Sequence, residues 1–145
     1  ERLTLEITET SLMRNADTAL VILQQLSDAG VQIALDDFGT GHSSLTYLRD
    51  FPIDKVKIDK SFTMHMADSK ECEAIVESVL VLSRGLGVEA VAEGIEQPEV
   101  LRKLNDSGCA FGQGFLFGAA RPQEKVAELL QITDEPEADR ARHSA

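Results

Sequence analysis

The chain has 145 residues, 43% of them hydrophobic, enough to bury one good core and too few to require a second domain. Its formal net charge of -11 repels phosphate backbones, which excludes broad nucleic-acid binding and leaves any nucleotide to be held through metal ions or local cationic and amide donors. No apolar run approaches the roughly 18 residues of a membrane span, and the two distant cysteines, Cys72 and Cys109, give neither a disulfide framework nor a zinc spacing. The expectation is a soluble, cytoplasmic segment with no membrane contact of its own.

In chain order, the apolar periodicity predicts a strand over 3–7, a helix over 18–29, a strand over 32–36 and a short helix over 44–48. The alternation continues with a strand over 55–58 and a helix over 71–86, a strand over 89–92 and a helix over 99–104, then a strand over 111–116 and a helix over 123–130. Gly30 and Gly87 fall where helices end. Such a rhythm predicts an α/β fold of parallel strands with helices outside, either a barrel or a doubly wound sheet. Residues 134–145 are polar, carry Pro136 and lack periodicity, and read as a disordered tail. Five strand–helix units are too few for a closed eight-stranded barrel, which takes about 250 residues. The chain also opens inside a strand without cap, initiating methionine or leader. Residues 1–133 are therefore expected to be the C-terminal part of a larger domain, anchored to a membrane only through other domains, if at all. A homodimer or another chain would cover the open edge.

The most informative residues are Asp36-Asp37-Phe38-Gly39-Thr40-Gly41, two adjacent carboxylates closing an apolar run over 31–35 before a glycine turn. Adjacent acids repel unless cations or hydrogen bonds hold them, so the pair reads as a divalent-metal site; the plainer alternative is an N-cap or Asx turn. Other runs end on Glu6, on Lys57 and on Glu93. Strand alternation sets Glu6 opposite Leu5 and Ile7, and Lys57 opposite Val56 and Ile58. Glu6, Asp36, Lys57 and Glu93 should then converge at the C-terminal ends of the strands. Asp37 joins them only if the backbone bends after Asp36, as Gly39 and Gly41 would permit. Lys57 among carboxylates would stay charged and neutralise them. Gln113 would hydrogen-bond a ligand base or ribose, or merely serve a turn. His42, His65 and His143 show no ligand spacing to one another.

Five ordered motifs then resemble those of EAL domains, the phosphodiesterases that linearise cyclic di-GMP. They are Leu5-Glu6-Ile7-Thr8-Glu9, Asp36 to Gly41, Lys57-Ile58-Asp59 with Phe62, Ala92-Glu93-Gly94-Ile95-Glu96 and Gln113-Gly114-Phe115-Leu116-Phe117. The resemblance implies the last five strand–helix units of a TIM-type barrel and a two-metal site for Mg²⁺ or Mn²⁺. It implies that Glu6 and Asp36 ligate one ion, that Asp36 bridges to the second, and that Asp37 and Glu93 serve that second ion or its water. It further implies that Lys57 helps activate the nucleophilic water, that Glu9 steadies the loop after Asp37, and that Gln113 borders the pocket. The ligand would be cyclic di-GMP and the product linear pGpG. The Glu-Ala-Leu signature and the asparagine of the next strand are absent, so the segment alone is expected to be inactive. His42 replaces a common aromatic, and 118–121 departs from the commoner Ser-Arg-Pro ending. A noncatalytic cyclic di-GMP receptor that signals through a protein partner is the alternative.

Overall fold

The computed structural model describes residues 3–39, 45–122 and 125, with 45–47 as backbone only. Strand β1 (Thr4–Thr8) runs straight into helix α1 (Glu9–Arg14), and Asn15 separates α1 from α2 (Ala16–Asp28). Strand β2 (Gln32–Phe38) leads to α3 (Leu45–Asp50), and β3 (Lys55–Ile58) to α4 (Lys60–Thr63) and α5 (Lys70–Leu86). Strand β4 (Glu89–Ala92), α6 (Pro98–Asp106) and the two-residue β5 (Phe111–Gly112) complete the order. The expected helix over 123–130 lies outside the described residues but for Lys125, as does the tail over 134–145.

Two short helices were not foreseen. Six residues in α1 and four in α4 are too few to display a 3.6-residue period, although α1 buries Leu12 and α4 is capped by Asp59, which accepts from the Ser61 N–H at 2.9 Å. The last expected strand, 111–116, stops at Gly112 because the chain turns there against Ile95. Longer elements follow their punctuation. Ser69 caps α5 by accepting from Cys72 N–H, and Gly87 closes it with φ +71°.

All neighbouring strands are parallel, in the order β1-β2-β3-β4-β5. A doubly wound sheet reverses its order at a switch point, whereas sequential order is that of a barrel wall. One face of the sheet, with Ile33, Leu35, Val56, Ile58 and Ala92, shares a core with Leu12, Leu23, Val76, Leu80, Val100 and Leu104 from the helices. The other face carries Glu6, Gln32, Asp36, Lys55, Lys57 and Glu89. At the outer strands Leu5 and Phe111 are 39% and 48% exposed. No helix among the described residues is long and apolar enough to cross a membrane.

Candidate active site

Lys57 is 7% exposed, and its ammonium is the centre on which the polar face of the sheet converges. Nζ donates to Oε2 of Glu6 at 2.7 Å from β1, and lies 3.1 Å from Oδ1 of Asp36 on β2 and 2.8 Å from Oε1 of Glu93 just past β4. Four strand ends thus bring together three carboxylates and one lysine, as the alternation of side chains predicts. Burial opposes the lysine's charge, but hydrogen bonds with Glu6, Glu93 and Asp36 outweigh it and hold the pKa above the ordinary lysine value.

A β-bulge lets two acids stand against this one lysine. Leu35 pairs with Val56 and Phe38 with Ile58, so Asp36 and Asp37 together oppose Lys57. Asp37 absorbs the extra residue with φ +56°, which returns Phe38 to the buried face beside Leu35. The bend expected from the glycines is therefore made by Asp37 itself, and Gly39 follows with φ +97°. Asp37 N–H donates to Oδ1 of Asp36 at 3.0 Å, while its side chain is exposed. Thr40 to Ser44, with His42, lie outside the described residues.

The fourth strand end is joined to the fifth. Gln113 Nε2 donates to Oε1 of Glu93 at 2.6 Å, a partnership across 20 residues that spacing alone did not suggest. A usable signal was the glycine on each side of Gln113, which marks close backbone approach. Glu9 is 6% exposed at the start of α1, directly after the strand that carries Glu6. His65 lies in the turn after α4, away from these groups in the chain, and keeps no site role.

Glu6, Asp36 and Glu93 around Lys57, with Asp37 next after Asp36 in the chain, carry hard carboxylate oxygens and four negative charges against one ammonium, chemistry that suits a divalent cation. Among the described residues, however, no three histidine, cysteine or carboxylate side chains are spaced to hold one ion; Glu6, Asp36 and Glu93 instead share the ammonium of Lys57. These residues suit a metal as part of a larger ligand set.

In comparison with known proteins, the EAL domain family model matches residues 1–122. The chain is 46% identical over 124 residues to the bifunctional diguanylate cyclase/cyclic di-GMP phosphodiesterase MucR of Pseudomonas aeruginosa, covering 86% of this chain and 18% of MucR. It is 40% identical over 129 residues to the cyclic di-GMP phosphodiesterase NbdA of the same organism, covering 89% of this chain and 16% of NbdA. The chain thus spans less than a fifth of the length of these relatives. The solved PaMucR phosphodiesterase in complex with c-di-GMP superposes with a TM-score of 0.81, over 86% of this chain and 50% of that one. The manganese/cy-diGMP complex of Klebsiella pneumoniae BlrP1 does so with a TM-score of 0.73 at 38% identity, over 78% and 29%. The five-stranded sheet is accordingly part of a TIM-type (β/α) barrel.

Proposed function

The chain belongs to the EAL domain family, and from that premise we propose that it supplies the C-terminal part of a metal-dependent phosphodiesterase active site that hydrolyses cyclic di-GMP to linear pGpG. The observation that carries this reading is the meeting of Glu6, Asp36 and Glu93 on Lys57 at adjacent parallel strand ends, within 3.1 Å of one nitrogen. A barrel's chemistry is built at that end of its strands.

Glu6, Asp36, Asp37 and Glu93 would hold Mg²⁺ or Mn²⁺ together with ligands from the rest of the domain. Bound divalent cations would polarise the scissile phosphate and lower the pKa of the attacking water. Lys57 keeps the carboxylates at fixed separations. Because its pKa is raised, it stays an ammonium at neutral pH and acts as a hydrogen-bond donor and fixed charge, not as a base. Proton acceptance from the water then falls to a carboxylate, and Glu93 is the least exposed of the three around Lys57. Hydrolysis joins the water oxygen to phosphorus and breaks the bond to the 3′ oxygen, which leaves carrying a proton. Glu9, buried between β1 and the rest of α1, steadies the strand end that presents Glu6 and the loop beyond Asp37.

Since the chain contributes part of the ligand set, the same reading makes it inactive by itself. Incubating the complete domain with cyclic di-GMP and Mn²⁺ tests the proposal: pGpG should form and chelation should stop it. Calorimetric binding of cyclic di-GMP without any pGpG, in Mn²⁺ or Mg²⁺, would instead make the domain a receptor.

A further inference from the structure

We infer that Gln113 is a positioning residue for Glu93, holding that carboxylate on Lys57 and aiming its second oxygen into the site, instead of being a contact for the nucleotide. The inference deepens the phosphodiesterase reading, on which its kinetic arm rests.

The bond itself fixes the assignment of the amide. A carboxylate only accepts, so Gln113 must turn its NH₂ toward Glu93, and Nε2 lies 2.6 Å from Oε1. The same Oε1 is 2.8 Å from Nζ of Lys57. Two donors, one charged and one neutral, therefore meet on a single oxygen. Neither of these two bonds uses Oε2, so the second oxygen of Glu93 is available as an acceptor for the site. With Lys57 alone the carboxylate could rotate and exchange its oxygens on the ammonium. A second donor from another direction removes that freedom, which is how a neighbouring hydrogen bond orients a reactive group.

The backbone around Gln113 is arranged for this purpose. Gln113 N–H donates to Ala92 C=O at 2.8 Å, immediately before Glu93, and Ile95 N–H donates to Gln113 C=O at 3.1 Å, two residues beyond it. Leu116 N–H donates to Ile95 C=O at 3.0 Å. The segment bearing Glu93 is thus clamped to that bearing Gln113 on both sides of the carboxylate. The flanking glycines allow the clamp to close. A Cβ at Gly114 would lie 2.2 Å from Ile95 N and O, and one at Gly112 would lie 2.4 Å from Ile95 Cδ1. At Gly114 the obstacle is the backbone of Ile95, a residue 1% exposed. Gly-Gln-Gly is therefore the sequence of a residue held at close range with its side chain directed back over the neighbouring strand end.

The test compares wild type, Gln113→Ala, Gln113→Met and Gln113→Glu in the complete domain, with Mn²⁺ and cyclic di-GMP. Gln113→Met keeps the volume without the donor. Both Ala and Met variants should lose about 10- to 100-fold in kcat, the equivalent of one hydrogen bond to a charged group, with KM within about twofold of wild type. Gln113→Glu, which sets a second carboxylate against the first, should lose more than either. Crystal structures of the Gln113→Met and wild-type domains should show the Glu93 carboxylate displaced from Lys57 or in two orientations in the variant alone. A raised KM with kcat preserved would overturn the inference in favour of a nucleotide contact, and unchanged kinetics would overturn it outright. Should wild type form no pGpG, the phosphodiesterase reading fails, and the two structures still decide: an unmoved Glu93 in Gln113→Met rejects the positioning role, and a displaced one sustains it.

Discussion

Lys57 and Glu6 stand 51 residues apart in the chain and 2.7 Å apart in space. Two further carboxylates share the same ammonium, so removing it leaves three acids facing one another across adjacent strands. Replacing Lys57 with Met should lower the stability of the complete domain by about 2 kcal/mol, since the loss of one partner from a largely buried ionic group exposes the remaining charges to their own repulsion. Urea denaturation would read this, and pGpG formation should fall to background in the same variant.

The pH dependence of that stabilisation follows from the raised pKa of Lys57. A base whose folded pKa lies above its unfolded value binds its proton more tightly when folded. Its contribution is complete below the unfolded lysine value of about 10.4 and declines as pH rises beyond it toward the folded pKa. The stability difference between wild type and Lys57→Met should be flat from neutral pH to about pH 10 and shrink above it. A difference that already fell between pH 7 and 9 in denaturation curves would contradict the ion-pair origin.

Asp36→Asn keeps the shape of a side chain 3.1 Å from Lys57 and removes its charge. Turnover of cyclic di-GMP should be abolished, because the proposed bridging role needs the negative charge. Near-UV circular dichroism should stay that of wild type, as the amide can still accept from Lys57 and from Asp37 N–H. Wild-type turnover in this variant would remove Asp36 from the mechanism.

Asp37 separates conformation from charge. At φ +56° a Cβ is disfavoured but tolerated best in Asp and Asn, so Asp37→Ala should be less stable than Asp37→Gly by about 1 kcal/mol. Both variants lose the carboxylate, so both should weaken Mn²⁺ binding by similar factors. Equal stabilities by thermal unfolding would show that the left-handed backbone at this position costs nothing; a large gap in Mn²⁺ affinity would show that the bulge, not the carboxylate, governs the metal.

The residues that were legible in the sequence are those whose position follows from alternation along a strand. Glu6, Asp36 and Lys57 each stand among apolar neighbours that had to face the helices, so their own direction was fixed once parallel strands were granted. Asp37 was legible only conditionally, because a bulge depends on register with β3, which no local pattern records. The helix α1 was hidden for a different reason: Thr8 ends a strand and stands at the N-cap position of the helix at once, with no turn residue between them. The link from Gln113 to Glu93 joins two loops after different strands, and periodicity is silent about loops.

Each member of the Lys57 cluster comes from a separate parallel strand, and β3 is paired on both sides. A slip of β3 by one residue would turn Lys57 toward the helices and set Val56 or Ile58 among the acids. A one-residue slip therefore cannot assemble the cluster. The register of β3 and the assembly of the cluster are a single event: the shift that takes Val56 and Ile58 out of the core takes Lys57 away from the acids as well.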